Sequence, residues 1–92
     1  KNTSNLIPLC HPLNITNVNI EFTFLDELHN LQITSAVTVS GQTGVEMEAL
    51  VAANVAALTI YDMCKAIDKN IIIKEVKLLE KTGGKSGEFK RL

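Results

Sequence analysis

The sequence predicts an α+β domain, an antiparallel sheet with one long helix packed on it. Three observations carry this. Two neighbouring stretches, "IEFTF" and "LQITSAVTV", alternate apolar and polar residues with period two. Between Gly44 and Lys69 the apolar residues instead recur every three or four positions. Beyond that, "NIIIKEVKLLEK" returns to a β-branched, strand-like run.

The elements follow in order. Residues 1–12 read as irregular, because Pro8 and Pro12 push Ile7 and His11 into extended conformations. The first strand covers 15–24, where Val18, Ile20, Phe22 and Phe24 alternate with Asn19, Glu21 and Thr23 in a half-buried pattern. Leu13 and Ile15 lie on the opposite parity, which predicts a bulge near Thr16–Asn17. "DELHN", 26–30, is a polar turn. The second strand covers 31–40, with Leu31, Ile33, Val37 and Val39 on one face, and the short connection makes the pair a hairpin. "SGQTG" ends it, and Thr43 or Gly44 opens a helix to about Lys69. Glu46 and Glu48 suit the positive end of its dipole. Val45, Ala49, Ala52, Ala56, Ile60, Met63 and Ile67 form its apolar stripe, rich enough in alanine for close backbone packing. A third strand covers 70–81, followed by the Gly-rich tail "TGGKSGEFKRL". The order β-β-α-β is three-quarters of a ferredoxin-like βαββαβ plan, lacking the first strand and first helix.

At 92 residues the chain is a single domain, 1–92. With no Trp, one Tyr and three Phe, its core is expected to be aliphatic and marginal, so oligomerisation is a natural way to bury more surface. A net charge of −1 argues against nucleic-acid binding, which needs a clustered positive field, and no aromatic platform for RNA is present. Cys10 and Cys64 could pair, but their spacing does not require it, and a reduced cytoplasmic protein is expected. No stretch is read as approaching the ~20 apolar residues of a membrane span, and no signal-peptide pattern is seen. The chain opens on Lys1 and reads at once as mid-domain sequence, so a preceding segment is expected.

Four stretches carry candidate chemistry. In "LIPLCHPL" the two prolines bracket Cys10 and His11. Adjacent residues of an extended segment face opposite sides, which disfavours a Cys–His catalytic couple. Metal ligation is disfavoured too, because no converging ligand spacing is present and His29 sits in the hairpin turn. A stiff turn with an incidental histidine and a ligand-binding role for His11 both remain open. In "TGVEMEAL" two glutamates at a helix start would repel a phosphate. They could accept hydrogen bonds from an N–H-rich edge such as guanine or a pterin, or simply complement the dipole. In "YDMCKA", Asp62 and Lys65 are i, i+3 neighbours on a helix. They could act as a coupled acid–base pair, although taken alone a surface ion pair worth well under ~1 kcal/mol is the simpler reading. "TGGKSG" resembles the end of a Walker A loop but lacks its first glycine, that position being Leu79. It is left as either a phosphate-binding turn or a flexible tail. Glu48 and Asp62 are fourteen residues apart, roughly 21 Å along a helix axis. If both serve one site, it is shared between subunits.

"LIPLCHPL", "TGVEMEALVAANVAALTIYDMCKAI" and "LLEKTGGKSG", in this order and spacing, resemble the molybdenum cofactor biosynthesis protein C family, from Lys1 to about Arg91. The resemblance implies a cyclic pyranopterin monophosphate synthase, a phosphorus–oxygen lyase. It would take the cyclised dihydro-GTP made by a radical SAM GTP cyclase, rearrange it to a pyranopterin with a cyclic phosphate, and release diphosphate. It also implies a ferredoxin-like fold, a hexamer built as a trimer of dimers, and active sites at subunit interfaces; no cofactor, metal, nucleic-acid or membrane partner is implied. Carried over by position, Leu9, Cys10 and His11 contact substrate, as do Met47 and Glu48, with Glu46 alongside. Asp62 and Lys65 transfer protons, and Lys1 and Lys85 are auxiliary phosphate contacts. Family members carry an N-terminal portion with the first strand, the first helix and further basic residues. Without these, the sheet is expected to have an uncovered edge.

The competing reading is a non-catalytic ferredoxin-like module that binds a small ligand or only oligomerises. Asp62 and Lys65 discriminate between the two, since a binding module has no need of them together.

Overall fold

Period-two alternation on both sides of a short polar connection closes two strands into a hairpin. The computed structural model describes the chain except Asp26, Leu28, Gln42 and Ser86, so part of the predicted polar turn lies outside the described residues. Strand β1 (Ile15–Leu25) pairs antiparallel with β2 (Asn30–Val39) in a register that sets Ile20 opposite Ser35 and Phe22 opposite Ile33. The register slips between Ile15 and Asn17, where the parity change predicts a bulge. His29 turns the chain with a positive φ of 53°.

Helix α2 (Glu46–Cys64) packs on β2. On β2 every second residue from Leu31 to Val39 is sheltered, as the alternation predicts. Ser35 shares that face, and its hydroxyl donates to the Ala49 carbonyl at 2.6 Å, tying strand to helix. The helix is shorter than the sequence predicts. It starts at Glu46, with Val45 as a cap that offers no side-chain bond, and ends at Cys64 rather than Lys69. The amides of Ile67 and Asp68 turn back onto the Cys64 carbonyl, and the Asp68 carboxylate accepts the Asn70 amide at 2.8 Å. This local side-chain bond competes with another helical turn. Ile67, the last residue of the predicted stripe, falls beyond the helix and is exposed, as is Met63 in its last turn.

The N-terminal stretch is not wholly irregular. Thr3–Leu6 forms a single helical turn, α1, that touches α2 and buries Thr3. Ile7 ends it in an extended conformation (φ −110°, ψ 115°), as a residue before proline should.

The third strand is the main departure. Residues 71–79 join no ladder, and only β3 (Glu80–Lys81) pairs, with β4 (Phe89–Lys90). The tail is therefore a folded ribbon, turned through Gly83 and Gly84, both at φ 79°. Strand propensity needs a neighbour offering main-chain donors and acceptors. Among the described residues no strand pairs with 71–79, and only Arg91 bonds to its end, at the Leu78 and Leu79 carbonyls.

The same shortage of partners shows in burial. Val18, Ile20, Phe22 and Phe24 are exposed rather than half-buried, because α2 covers β2 and leaves β1 open. No apolar side chain among the described residues is fully buried. The radius of gyration is 14.7 Å, against about 12 Å for a compact chain of this length. The helix also amends an expectation. Among the described residues Glu46–Cys64 alone is long and apolar enough to cross a membrane, with a mean hydropathy of 1.3, because it is rich in alanine and β-branched residues and carries few charges. Its packing on β2 and the buried Glu48 in its first turn fit a core helix of an α+β domain.

Candidate functional site

The start of α2 faces the proline-bracketed segment. Pro8 and Pro12 stiffen the backbone between them, and the chain lays Cys10 and His11 against the first helical turn. A cavity of about 180 Å³ lies between, lined by Cys10, His11, Glu46, Met47 and Glu48, with Leu13, Thr43 and Gly44 completing the wall. Five of the six residues predicted to contact substrate thus line one cavity. Leu9 does not; its side chain is 92% exposed.

Glu48 is the most buried charged residue, at 8% exposure, and among the described residues it has neither an ion-pair nor a hydrogen-bond partner. A carboxylate oxygen buried without a partner is costly, but among the described residues neither oxygen of Glu48 is one. Glu46 differs. One carboxylate oxygen lies 3.7 Å from the Lys81 ammonium, while the other, Oε2, is buried with no partner. Lys81 is itself only 12% exposed along its side chain.

Lys81 is the residue that sequence reasoning missed. It sits in the quoted "LLEKTGGKSG", but attention falls on Lys85 inside the glycines, and nothing in the local spacing links position 81 to position 46. Only the β3–β4 ribbon, folded over the start of α2, brings them together. Lys85 and Lys1 are both exposed and line neither this cavity nor the next.

A second cavity, of about 450 Å³, lies on the far side of the Thr43–Gly44 turn, against the end of β2, with Thr38, Thr43, Thr82, Gly83 and Gly84 in its wall. Thr43 lines both, and Gly44 lines the first. A Cβ there would stand 2.7 Å from Glu46 Oε2 and 3.7 Å from the Lys81 ammonium. Gly44→Ala is therefore expected to swing the Glu46 carboxylate away. Because that carboxylate is the free end of a flexible side chain, stability should change by less than about 1 kcal/mol. A thermal melt checks the second expectation, and a crystal structure of the variant the first.

Asp62 and Lys65 lie elsewhere. They pair at 3.0 Å as i, i+3 neighbours, with side chains 73% and 54% exposed. The helix carries Asp62 roughly 21 Å and Lys65 roughly 25 Å along its axis from Glu48, so one chain does not bring them to the cavity. Among the described residues no three His, Cys, Asp or Glu gather as a metal-ligand set.

Comparison with known proteins agrees with the motifs. The MoaC family model matches residues 1–84. A cyclic pyranopterin monophosphate synthase of Heliobacterium modesticaldum is 63% identical over 92 residues, covering 99% of this chain and 57% of the relative. The chain therefore spans little more than half the length of the curated relative it matches. By the extent of both matches, this chain belongs to the MoaC family.

Proposed function

We propose that the chain is the greater, C-terminal part of a cyclic pyranopterin monophosphate synthase, converting (8S)-3',8-cyclo-7,8-dihydroguanosine 5'-triphosphate to cyclic pyranopterin monophosphate and diphosphate. The observation that carries the reading is Glu46 Oε2: a buried carboxylate oxygen with no hydrogen-bond partner among the described residues, in a cavity with His11 and Glu48. A purine-derived ring edge offers N–H donors that such a carboxylate accepts, at about twice the strength of a neutral hydrogen bond. Glu48, in the same lining, is a second acceptor beside it. Cys10 and Met47 frame the ring, and His11, exposed at the rim, meets the phosphates, with Leu9 outside the cavity as a candidate contact for the outer part of the substrate.

The cavity of about 180 Å³ is smaller than the roughly 300 Å³ at which small-molecule sites begin. A nucleotide-sized substrate needs further walls. We assign them to a second copy of the chain, in an assembly expected to be a hexamer, a trimer of dimers. Val55 and Leu58 lie on the same helix face as Asp62 and Lys65 and are exposed, so an apolar strip leads up to the ion pair. Seating that strip on a neighbour would bring Asp62 and Lys65 to its cavity, where a partly desolvated acid and amine can exchange protons with the rearranging ring. Lys1 and Lys85 remain candidates for the outer phosphates.

The test is direct. The full-length protein, incubated with the cyclised dihydro-GTP, is expected to release one diphosphate per cyclic pyranopterin monophosphate formed. Binding of the substrate without release of diphosphate would support the non-catalytic module instead.

A further inference from the structure

The approach of Lys81 to Glu46 is held by very little. The ladder that carries Lys81 is two residues long, Glu80 opposite Lys90 and Lys81 opposite Phe89. An isolated two-stranded ribbon of that length does not hold itself in water. Three contacts supplement it, and all converge on one residue beyond β4. The Arg91 amide donates to the Leu79 carbonyl at 2.7 Å. The Arg91 Nε–H donates to the Leu78 carbonyl, also at 2.7 Å. The guanidinium stands 5.6 Å from the centre of the Phe89 ring, within cation–π range.

We propose that Arg91 is a positioning residue, the clasp of a C-terminal strap that holds Lys81 against Glu46 and so aims the Glu46 carboxylate into the cavity. The side-chain bond reaches across the ribbon to the carbonyl three residues before Lys81, and the ring it covers belongs to the residue paired with Lys81. Losing the guanidinium frees the strand end on which Lys81 is carried. The Lys81 ammonium then leaves its sheltered place beside Gly44 and Gly84, and Glu46 loses this ion-pair partner. The consequence for catalysis rests on the reading of the cavity as the synthase site; the clasp itself does not.

Two readouts on Arg91→Ala in the full-length protein separate these. In lysine labelling with an amine-reactive ester, read residue by residue by mass spectrometry, Lys81 should react slowly in the wild type. In the variant it should react about tenfold faster, the effect of losing one charge-assisted bond, with Lys65 and Lys85 unchanged as exposed references. In the diphosphate assay the variant should show KM raised about fivefold and kcat within about twofold, because a recognition contact is loosened while the reacting groups stay. A merely structural role would reduce the folded fraction, lowering apparent kcat at unchanged KM. Arg91→Lys, which keeps a donor near the Leu78 carbonyl, should lie within about twofold of wild type in both readouts. Equal Lys81 labelling in wild type and Arg91→Ala, or a lowered kcat at unchanged KM, overturns the proposal. A wild type that labels as expected yet releases no diphosphate overturns the synthase reading and leaves the clasp standing.

Discussion

Replacing Lys65 by alanine in the full-length protein is expected to lower the rate of diphosphate release by about 10²- to 10⁴-fold, the range by which a positioned proton donor or acceptor accelerates a reaction. Its stability should barely move. The Lys65–Asp62 pair is close, at 3.0 Å, but both side chains are more than half exposed. An exposed i, i+3 pair of this kind contributes about 0.5 kcal/mol or less. A large kinetic effect with an almost unchanged melting temperature is what separates a catalytic pair from a surface ion pair. Asp62→Asn keeps the shape and removes the base, and should behave alike. Full turnover in Lys65→Ala would remove the pair from the mechanism.

Glu48→Gln should likewise part function from stability. Glu48 makes no ion pair among the described residues, and neither of its oxygens is a buried atom without a partner, so the neutral amide should leave the fold about as stable. Substrate binding should suffer. A hydrogen bond to a charged acceptor contributes about 1.5–3 kcal/mol, which corresponds to a roughly 10- to 100-fold weaker complex. Isothermal titration with the cyclised dihydro-GTP, beside a thermal melt, reads both. A variant that melts earlier and binds as tightly as the wild type would mean that Glu48 serves the fold and not the ligand.

What the sequence made legible was whatever is local. Alternation placed both strands to within a residue, and the parity change between Ile15 and Val18 located the bulge. Helical spacing found α2 but overran its end, because Asp68 turns the chain through a side-chain bond that a periodicity does not register. The run 71–79 has strand composition without strand structure, since a strand is completed by a neighbour that composition does not supply. The exposed face of β1 has the same cause: Val18, Ile20, Phe22 and Phe24 are patterned for a cover that one helix over β2 does not reach. At the site, Cys10, His11, Glu46, Met47 and Glu48 could be singled out because motifs carried them. Lys81 could not, because its meaning lies in a contact across the fold. The separation of Asp62 from Glu48 was legible from the helical rise alone, and it is the basis for a shared site.

That shared site is the central claim, and mixing two inactive proteins tests it most directly. Lys65→Ala and Glu48→Gln, each strongly impaired alone, are unfolded together in equal amounts and refolded so that subunits assort at random. If each site takes Lys65 from one subunit and Glu48 from another, about one site in four receives both wild-type residues from a symmetric assembly. The mixture should then recover about a quarter of wild-type diphosphate release. If both residues of a site come from the same chain, no site is restored. A mixture no more active than its two components would contradict the account.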